Sequence, residues 1–168
     1  MNVSDAIRTK RATRQFAPQP VPDEVIRKIV NAGRRAQSSK NTQPWHFIVV
    51  RERERLKQLS ETGPFAGHLA GAAFGVMLVS SDPSARWSIP FDLGQAAAYM
   101  QLAAWEVGIG SCLGAVYEPE KARALLAIPA DWHCYSFLSF GYPAESQPRP
   151  ARPRGRKPLD EVVHWERW

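Results

Sequence analysis

The sequence predicts a single domain built as a layered sheet with helices on both sides. Its 168 residues suit one domain, which can bury about 70% of the surface that the unfolded chain exposes. Hydrophobic residues make up 44% of the chain and charged residues 23%, as is typical of globular proteins. Stretches with helical periodicity alternate with short apolar runs that are typical of strands.

The first half of the chain carries two helical patterns, then a strand and a charged helix. Residues 3–9 fit a short helix, and Asp23 is suited to cap a second helix that continues to about Gln37. The apolar face of that helix consists of Val25, Ile26, Ile29, Val30 and Ala36. Residues 46–50 then predict a strand, and residues 51–60 predict a charged surface helix.

The second half alternates strands and helices. Residues 73–80 form a continuous apolar strand, and residues 91–108 form an Ala-rich helix expected to be buried. Residues 111–116 predict a third strand, and residues 118–127 a further helix. A fourth strand, at 135–143, ends in Gly-Tyr-Pro. Strands separated by helices in this way favour the layered arrangement.

The most apolar stretch is too short to cross a membrane. It covers residues 65–79, is 15 residues long and contains His68, whereas a spanning helix needs about 20 apolar residues. Residues 1–11 lack the apolar core of a signal peptide. We therefore predict a cytoplasmic protein without a membrane partner.

Two cysteines are present, Cys112 and Cys134, each inside an apolar, strand-like run. They have no CxxC spacing and no nearby pair of histidines suited to a metal. The pattern predicts buried free thiols and no metal site.

The positive charge is concentrated near the two ends of the chain. The net charge is +6, and the clusters "RTKRATR" (8–14) and "RPARPRGRK" (149–157) hold nine of the 22 basic residues. Such clusters are either a solvated surface or a binding site for an anion, and charge alone leaves nucleic acid, membrane surface and small phosphates open. No basic run is interleaved with aromatic residues as stacking platforms for bases require, so we predict no nucleic-acid partner.

The last 25 residues, from 144 to 168, differ in composition from the rest of the chain. Their proline-rich first part excludes an ordinary helix or core strand. The end of the segment is apolar and contains Val162, Val163, Trp165 and Trp168, which are unfavourable in water. We expect this segment to be an arm that wraps around a second copy of the chain in a homodimer.

A polar loop, with Ser38, Ser39, Asn41 and Gln43, lies between the second helix and the first strand. Its donors and acceptors could bind a flat heteroaromatic ring. Ser and Asn are also common turn formers, and the loop alone favours that interpretation.

Five segments taken together resemble the FMN-dependent nitroreductase family. They are, in chain order, "KRATRQF" (10–16), "AQSSKNTQPW" (36–45), "VGIGSCLGAV" (107–116), "FGYP" (140–143) and "RGRKPLDEVVHWERW" (154–168). The resemblance covers almost the whole chain. It implies an α+β, three-layer fold with a mainly antiparallel central sheet flanked by helices. It also implies a homodimer that exchanges C-terminal arms from residue 143 onward and holds one FMN at each of two interface sites.

The resemblance implies that both basic clusters bind the FMN phosphate. Lys10, Arg11 and Arg14 come from one subunit, and Arg14 also lies near the edge of the isoalloxazine ring. Arg154 and Arg156 match the late basic pair that closes on the phosphate, an anion that requires charge-assisted hydrogen bonds.

The same resemblance implies that the polar loop of the other subunit lines the flavin. The matching loop residues are Ser38, Ser39 and Asn41. The strand end whose backbone faces the central ring consists of Leu113, Gly114 and Ala115.

Two FMN-lining positions depart from the family pattern. Ala12 replaces a serine that contacts the phosphate, and Gln37 replaces a proline that makes the loop rigid. Both changes are expected to weaken FMN binding. The excursion that covers the substrate site in many relatives is reduced here to about ten residues, 81–90, so substrate choice does not carry over.

The implied reaction passes electrons from NAD(P)H, as hydride to flavin N5, to a small acceptor such as a nitroaromatic or a quinone. Arg14 is the candidate for the charge that stabilises the reduced flavin. No catalytic acid is assigned, because His46, His68, His133 and His164 each fit a strand, loop or tail position. Relatives that dehalogenate substrates or cleave flavin leave those functions as alternatives, and a basic nucleic-acid-binding domain is a weaker one.

Overall fold

In the computed structural model, which describes residues 2–80, 88–145 and 155–168, a four-stranded antiparallel sheet forms the centre. The strands are β1 (His46–Val50), β2 (Phe74–Ser80), β3 (Gly110–Ala115) and β4 (His133–Gly141). Their order across the sheet is β1-β2-β4-β3, and all three pairs are antiparallel. The predicted α+β fold with a mainly antiparallel sheet is confirmed.

Six helices accompany the sheet in the described part of the chain. They are α1 (Val3–Thr9), α2 (Asp23–Arg34), α3 (Arg53–Ser60), α4 (Ser88–Glu106), α5 (Pro119–Leu126) and α6 (Leu159–Val162). None of these helices combines the length and the apolar composition needed to span a membrane.

The predicted ends of α2 are wrong at both termini. Pro22 is the N-cap, because its carbonyl accepts the first helical hydrogen bonds, and Asp23 lies inside the first turn. The Asp23 carboxylate instead accepts from Arg51 Nη1 at 2.7 Å. The helix ends at Arg34, three residues before Gln37, since the chain turns there into the polar loop.

The two faces of the sheet carry separate apolar cores. One face packs against α2 and α4 through β2 residues such as Phe74 and Val76. The opposite face packs against α3 and α5, and includes Met77 and Val79 of the same strand. Because both faces are covered, every residue of β2 is buried, which explains its unbroken apolar sequence. The fold therefore has three layers.

The segment 12–16 covers the outer edge of β3. Thr13 N–H donates to the Ser111 carbonyl at 2.9 Å, and beyond the segment Ala17 N–H donates to the Tyr142 carbonyl at 2.8 Å. Thr13 is buried and packs so closely against Gly110 that no side chain fits there. Neighbouring residues of this extended segment point away from the core, so Arg14 is exposed.

The C-terminal segment 155–168 is mostly exposed. Its apolar residues Leu159, Val162, Trp165 and Trp168 all have exposed side chains. Local contacts give it shape, including the stacking of His164 on Trp168 at 4.3 Å between ring centroids. Whether this segment contacts a second copy of the chain stays a prediction.

Candidate functional site

A cavity of about 460 Å³ lies between the N-terminal segment, the end of β3 and a turn that follows α3. It combines one cation, one imidazole, one amide and one thiol with apolar side chains. Its lining consists of Arg14, Gln15, Pro64, Phe65, Gly67, His68, Cys112 and Leu113. Two of the predicted site residues, Arg14 and Leu113, therefore meet here although about a hundred positions separate them.

Arg14 is the residue of the predicted phosphate-binding cluster that lines this cavity, and Lys10 lies near Cys112 in the cavity wall. Burial raises the pKa of the Cys112 thiol, while the nearby charges of Arg14 and Lys10 oppose that rise. Burial also lowers the pKa of Lys10. Lys10 ends α1, and Ala12 is an exposed residue that bridges to Ser111. The cluster is therefore presented by backbone that is fixed at both ends.

Arg11 takes a different position from Arg14. Its Nη1 donates to the carbonyl oxygens of Arg8 at 2.8 Å and of Lys10 at 3.0 Å. The guanidinium is thus held by its own helix end, at an exposed site outside the cavity lining.

His68, to which the sequence analysis assigned no catalytic role, is a buried polar residue. It is 9% exposed and lies in a short 3₁₀ turn, Gly67–Leu69. Its Nδ1 shares a hydrogen bond of 2.7 Å with Ser139 Oγ on β4. Its Nε2 is buried and has no hydrogen-bond partner among the described residues. Burial, and next the charge of Arg14, lower the pKa of His68 to about 4, so the ring is neutral at pH 7.

The three residues of β3 that were predicted to face a flavin differ in their exposure to solvent. Leu113 is exposed and lines the cavity, and Ala115 is exposed at the end of β3. Gly114 is buried between them, where an added Cβ would collide with the ring of Phe137. Glycine is therefore required at this position for β3 to lie against β4.

Internal hydrogen bonds fix the shape of the polar loop 37–43. Ser38 Oγ accepts from Gln43 N–H at 3.0 Å, so this hydroxyl serves as a turn former. Lys40, Asn41 and Gln43 have positive φ angles of 51°, 55° and 48°. This left-handed backbone tightens the loop before β1.

Two residues of α4 form hydrogen bonds with the loop. Asp92 is buried, and its Oδ2 accepts from Ser39 N–H at 3.0 Å. Gln37 Nε2 donates to Gln95 Oε1 at 2.9 Å, so the position where the family has proline is held by a side-chain hydrogen bond. Asp92 was not among the predicted site residues, because nothing in the sequence links it to a loop 53 positions earlier.

The described residues of one chain bring only part of the predicted site together. Ser38, Ser39 and Asn41 do not line the Arg14 cavity. Arg156 is exposed in the C-terminal segment, and Arg154 lies outside the described residues. Both cysteines are free, and Cys112 is buried, but Cys134 is half-buried on β4, so the prediction of buried thiols is wrong for Cys134.

Comparison with known proteins gives consistent matches. A model of the nitroreductase family matches residues 7–66 and 53–142. A protein of Methanothermobacter thermautotrophicus, provisionally named NADH dehydrogenase/NAD(P)H nitroreductase, is 34% identical over 176 residues, covering 100% of this chain and 88% of that protein. A protein of Archaeoglobus fulgidus with the same provisional name is 38% identical over 150 residues, covering 84% of this chain and 85% of that one. An FMN-dependent nitroreductase structure from Clostridium difficile has a TM-score of 0.86 at 25% identity, covering 99% of this chain and 100% of that chain.

Proposed function

The chain belongs to the nitroreductase family, and we propose that it is an FMN-dependent oxidoreductase. In this proposal it takes hydride from NAD(P)H and delivers electrons to a nitroaromatic, a quinone or a similar small acceptor. The observation that carries the proposal is the cavity beside β3, where Arg14 and the unpartnered His68 Nε2 lie beside the exposed Leu113. A flat, partly polar ring system suits such a lining.

The residues of the cavity fit a flavin by their chemistry. The ring of FMN has apolar faces and a pyrimidine edge rich in hydrogen-bonding atoms. Leu113 offers apolar surface, while Arg14 offers a cation. His68 leaves a buried nitrogen unsatisfied, which costs about 1–3 kcal/mol until a ligand or water provides a partner. Arg14 together with Lys10, Ala12 and Arg156 would hold the phosphate end.

The chain's own residues would act mainly by charge and by exclusion of water. When bound, FMN supplies the atom that accepts the hydride and the two electrons that reach the acceptor. Arg14 would stabilise negative charge on the reduced ring from a fixed position on the edge of β3. His68 adds no charge at pH 7, because its pKa is about 4. No side chain is required to move a proton in the hydride step.

A second copy of the chain would complete the site, so we propose a homodimer. The loop that the family pattern assigns to the flavin does not line the cavity of its own chain. A groove of about 870 Å³ between α2 and β1 is lined partly by Ile26, Val30, Phe47 and Val49, and would receive the apolar end of the partner's arm. The arm would carry Arg154 and Arg156 toward the FMN phosphate.

The test is spectroscopic. The purified protein, supplied with FMN, should show flavin absorbance that bleaches on anaerobic addition of NADPH or NADH and returns when a nitroaromatic or quinone is added. Protein that binds no FMN would contradict the proposal. Protein that consumes the FMN ring itself, or reduces no acceptor while releasing halide from a halogenated aromatic, would favour the alternative functions of the family.

A further inference from the structure

Three large apolar side chains, two that line the Arg14 cavity and one that contacts Phe65, are exposed. Phe65 is 69% exposed, Tyr117 is 54% exposed and Leu113 is 50% exposed. Phe65 and Leu113 line the cavity, and the ring centroids of Phe65 and Tyr117 lie 6.0 Å apart with a tilt of 54°. Exposed apolar residues beside a polar cavity are typical of a ligand-binding surface.

We propose that Phe65 and Tyr117 form an aromatic platform that binds planar aromatic electron acceptors by ring stacking. This inference rests on the proposed function, because it names the class of substrate and the residues that select it at the same site. Aromatic pairs with centroids 4.5–7 Å apart prefer tilted or offset arrangements, so a third ring can add to this pair without rearranging it.

Backbone hydrogen bonds tie together the two loops that carry the platform. Glu118 N–H donates to the Thr62 carbonyl at 3.1 Å, which joins the chain after Tyr117 to the turn before Phe65. Within that turn, Ala66 N–H donates to the Gly63 carbonyl at 3.1 Å. Thr62 is buried, and its hydroxyl donates to the Leu59 carbonyl at 2.7 Å. The rings are therefore held in place before a ligand binds, which reduces the entropy lost on binding.

Gly63 allows Tyr117 to lie against the turn. A Cβ at position 63 would stand 2.9 Å from Cδ2 and 3.1 Å from Cβ of Tyr117, so the Tyr117 side chain packs directly on the glycine backbone. A larger residue there would push Tyr117 away from Phe65. The close approach shows that the pair has a defined position although both rings are exposed.

The charge of the cavity favours one kind of aromatic ligand. Nitro groups and quinone carbonyls carry partial negative charge on oxygen, and Arg14 lines the same cavity as Phe65. A ring on the platform could therefore direct its oxygen atoms toward the guanidinium. An inorganic acceptor such as ferricyanide gains no stacking energy from the rings. A second copy of the chain is the competing occupant, because exposed apolar rings can also belong to a protein interface.

The experiment compares Phe65→Ala with Phe65→Tyr in the FMN-loaded protein. Ile7→Ala is the matched control, since Ile7 is an exposed apolar residue on α1 that does not line the cavity. Phe65→Ala should raise KM for a nitroaromatic and a quinone about tenfold, the loss of one aromatic contact, with kcat changed less than about twofold. Ferricyanide kinetics should stay unchanged, and Phe65→Tyr and Ile7→Ala should behave like the parent.

A binding measurement separates this inference from the proposed function. Benzoate is a flat aromatic anion that the protein cannot reduce, and its affinity for the oxidised protein should fall about tenfold in Phe65→Ala. A parent that binds benzoate but reduces no acceptor would contradict the proposed function and leave the platform standing. Three results for Phe65→Ala would each overturn the platform. The first is unchanged KM values together with unchanged benzoate affinity, and the second is an equal loss of activity with ferricyanide. The third is dissociation of a dimer without loss of benzoate binding.

Discussion

The two basic segments of the chain differ in how the fold holds them. The N-terminal segment, 10–16, lies along β3, hydrogen-bonded to Ser111 and followed by a further bond to Tyr142. The C-terminal segment, 155–168, makes its described hydrogen bonds and its ion pair within itself, as between Lys157 and Glu161 at 2.7 Å. In the proposed phosphate site, one half would therefore be built by a single chain, while the other half would depend on docking.

Deleting residues 159–168 should have the largest effect, because it removes the apolar end that the docking requires. We expect the dimer to dissociate and FMN to be lost together, since both follow from the same contact. Light scattering and the flavin content after gel filtration would measure the two effects. A stable monomer that keeps its FMN would show that the N-terminal half is sufficient by itself.

Arg156→Ala tests the C-terminal half without removing it. Loss of a hydrogen bond to a charged group should weaken FMN binding by about 1.5–3 kcal/mol, while riboflavin, which has no phosphate, should bind as before. Arg14→Gln is the contrasting variant, because Arg14 also borders the cavity for the ring and should weaken both ligands. Equal losses of FMN and riboflavin in Arg156→Ala would mean that this arginine supports the fold. Titration with duplex DNA would reveal a nucleic-acid-binding arm instead, through a reduced salt dependence.

The free energy of unfolding should also decrease in acid, because of the buried His68. Burial, aided by Arg14, lowers its pKa from 6.5 to about 4, so between these pH values the unfolded chain binds a proton that the folded chain rejects. Above pH 6.5 this difference in proton binding does not reduce the free energy of unfolding. As the pH falls from 6.5 to about 4, the free energy of unfolding decreases by up to about 3 kcal/mol. Urea unfolding at about pH 7.5 and 4.5 should show a smaller difference in His68→Gln than in the parent. Identical differences would mean that His68 is protonated in the folded protein.

Asn41 tests the polar loop that the partner subunit is proposed to contribute to the flavin site. Its amide should contribute about 1–2 kcal/mol to FMN binding, the value of one buried hydrogen bond. Because Asn41 has φ of 55°, Asn41→Ala would also strain the loop. Asn41→Gly removes the amide and tolerates that φ, so it is the cleaner variant. If Asn41→Gly binds FMN like the parent and Asn41→Ala does not, Asn41 is a turn residue.

The strands could be predicted from the sequence because their apolar runs are local. β2 is recognisable since both of its faces are buried, and β1 follows directly from its short apolar run. The order of the strands could not be predicted, as it depends on pairings such as β2 with β4 across more than fifty residues. The covering of β3 by residues 12–16 was also missed. This contact joins distant parts of the chain, and the segment is too polar to resemble a strand.

The predicted site residues remain predictions, but the structure brings two of them together. Arg14 and Leu113 do line one cavity. His68 and Asp92 escaped prediction because each is a lone polar residue in an apolar stretch. Their partners, Ser139 and Ser39, lie 71 and 53 positions away. No local pattern marks such a pair, so only the packed structure reveals it.

The attachment of the N-terminal segment to β3 also orders events during synthesis. Residues 12–17 leave the ribosome long before Ser111 and Tyr142, which accept their hydrogen bonds. Closing so long a loop is entropically unfavourable until β3 and β4 have paired. Arg14 therefore reaches its place only when the sheet is nearly complete. If the chain binds FMN as proposed, a nascent chain would not capture it early, and a truncated one would expose the edge of β3 to aggregation.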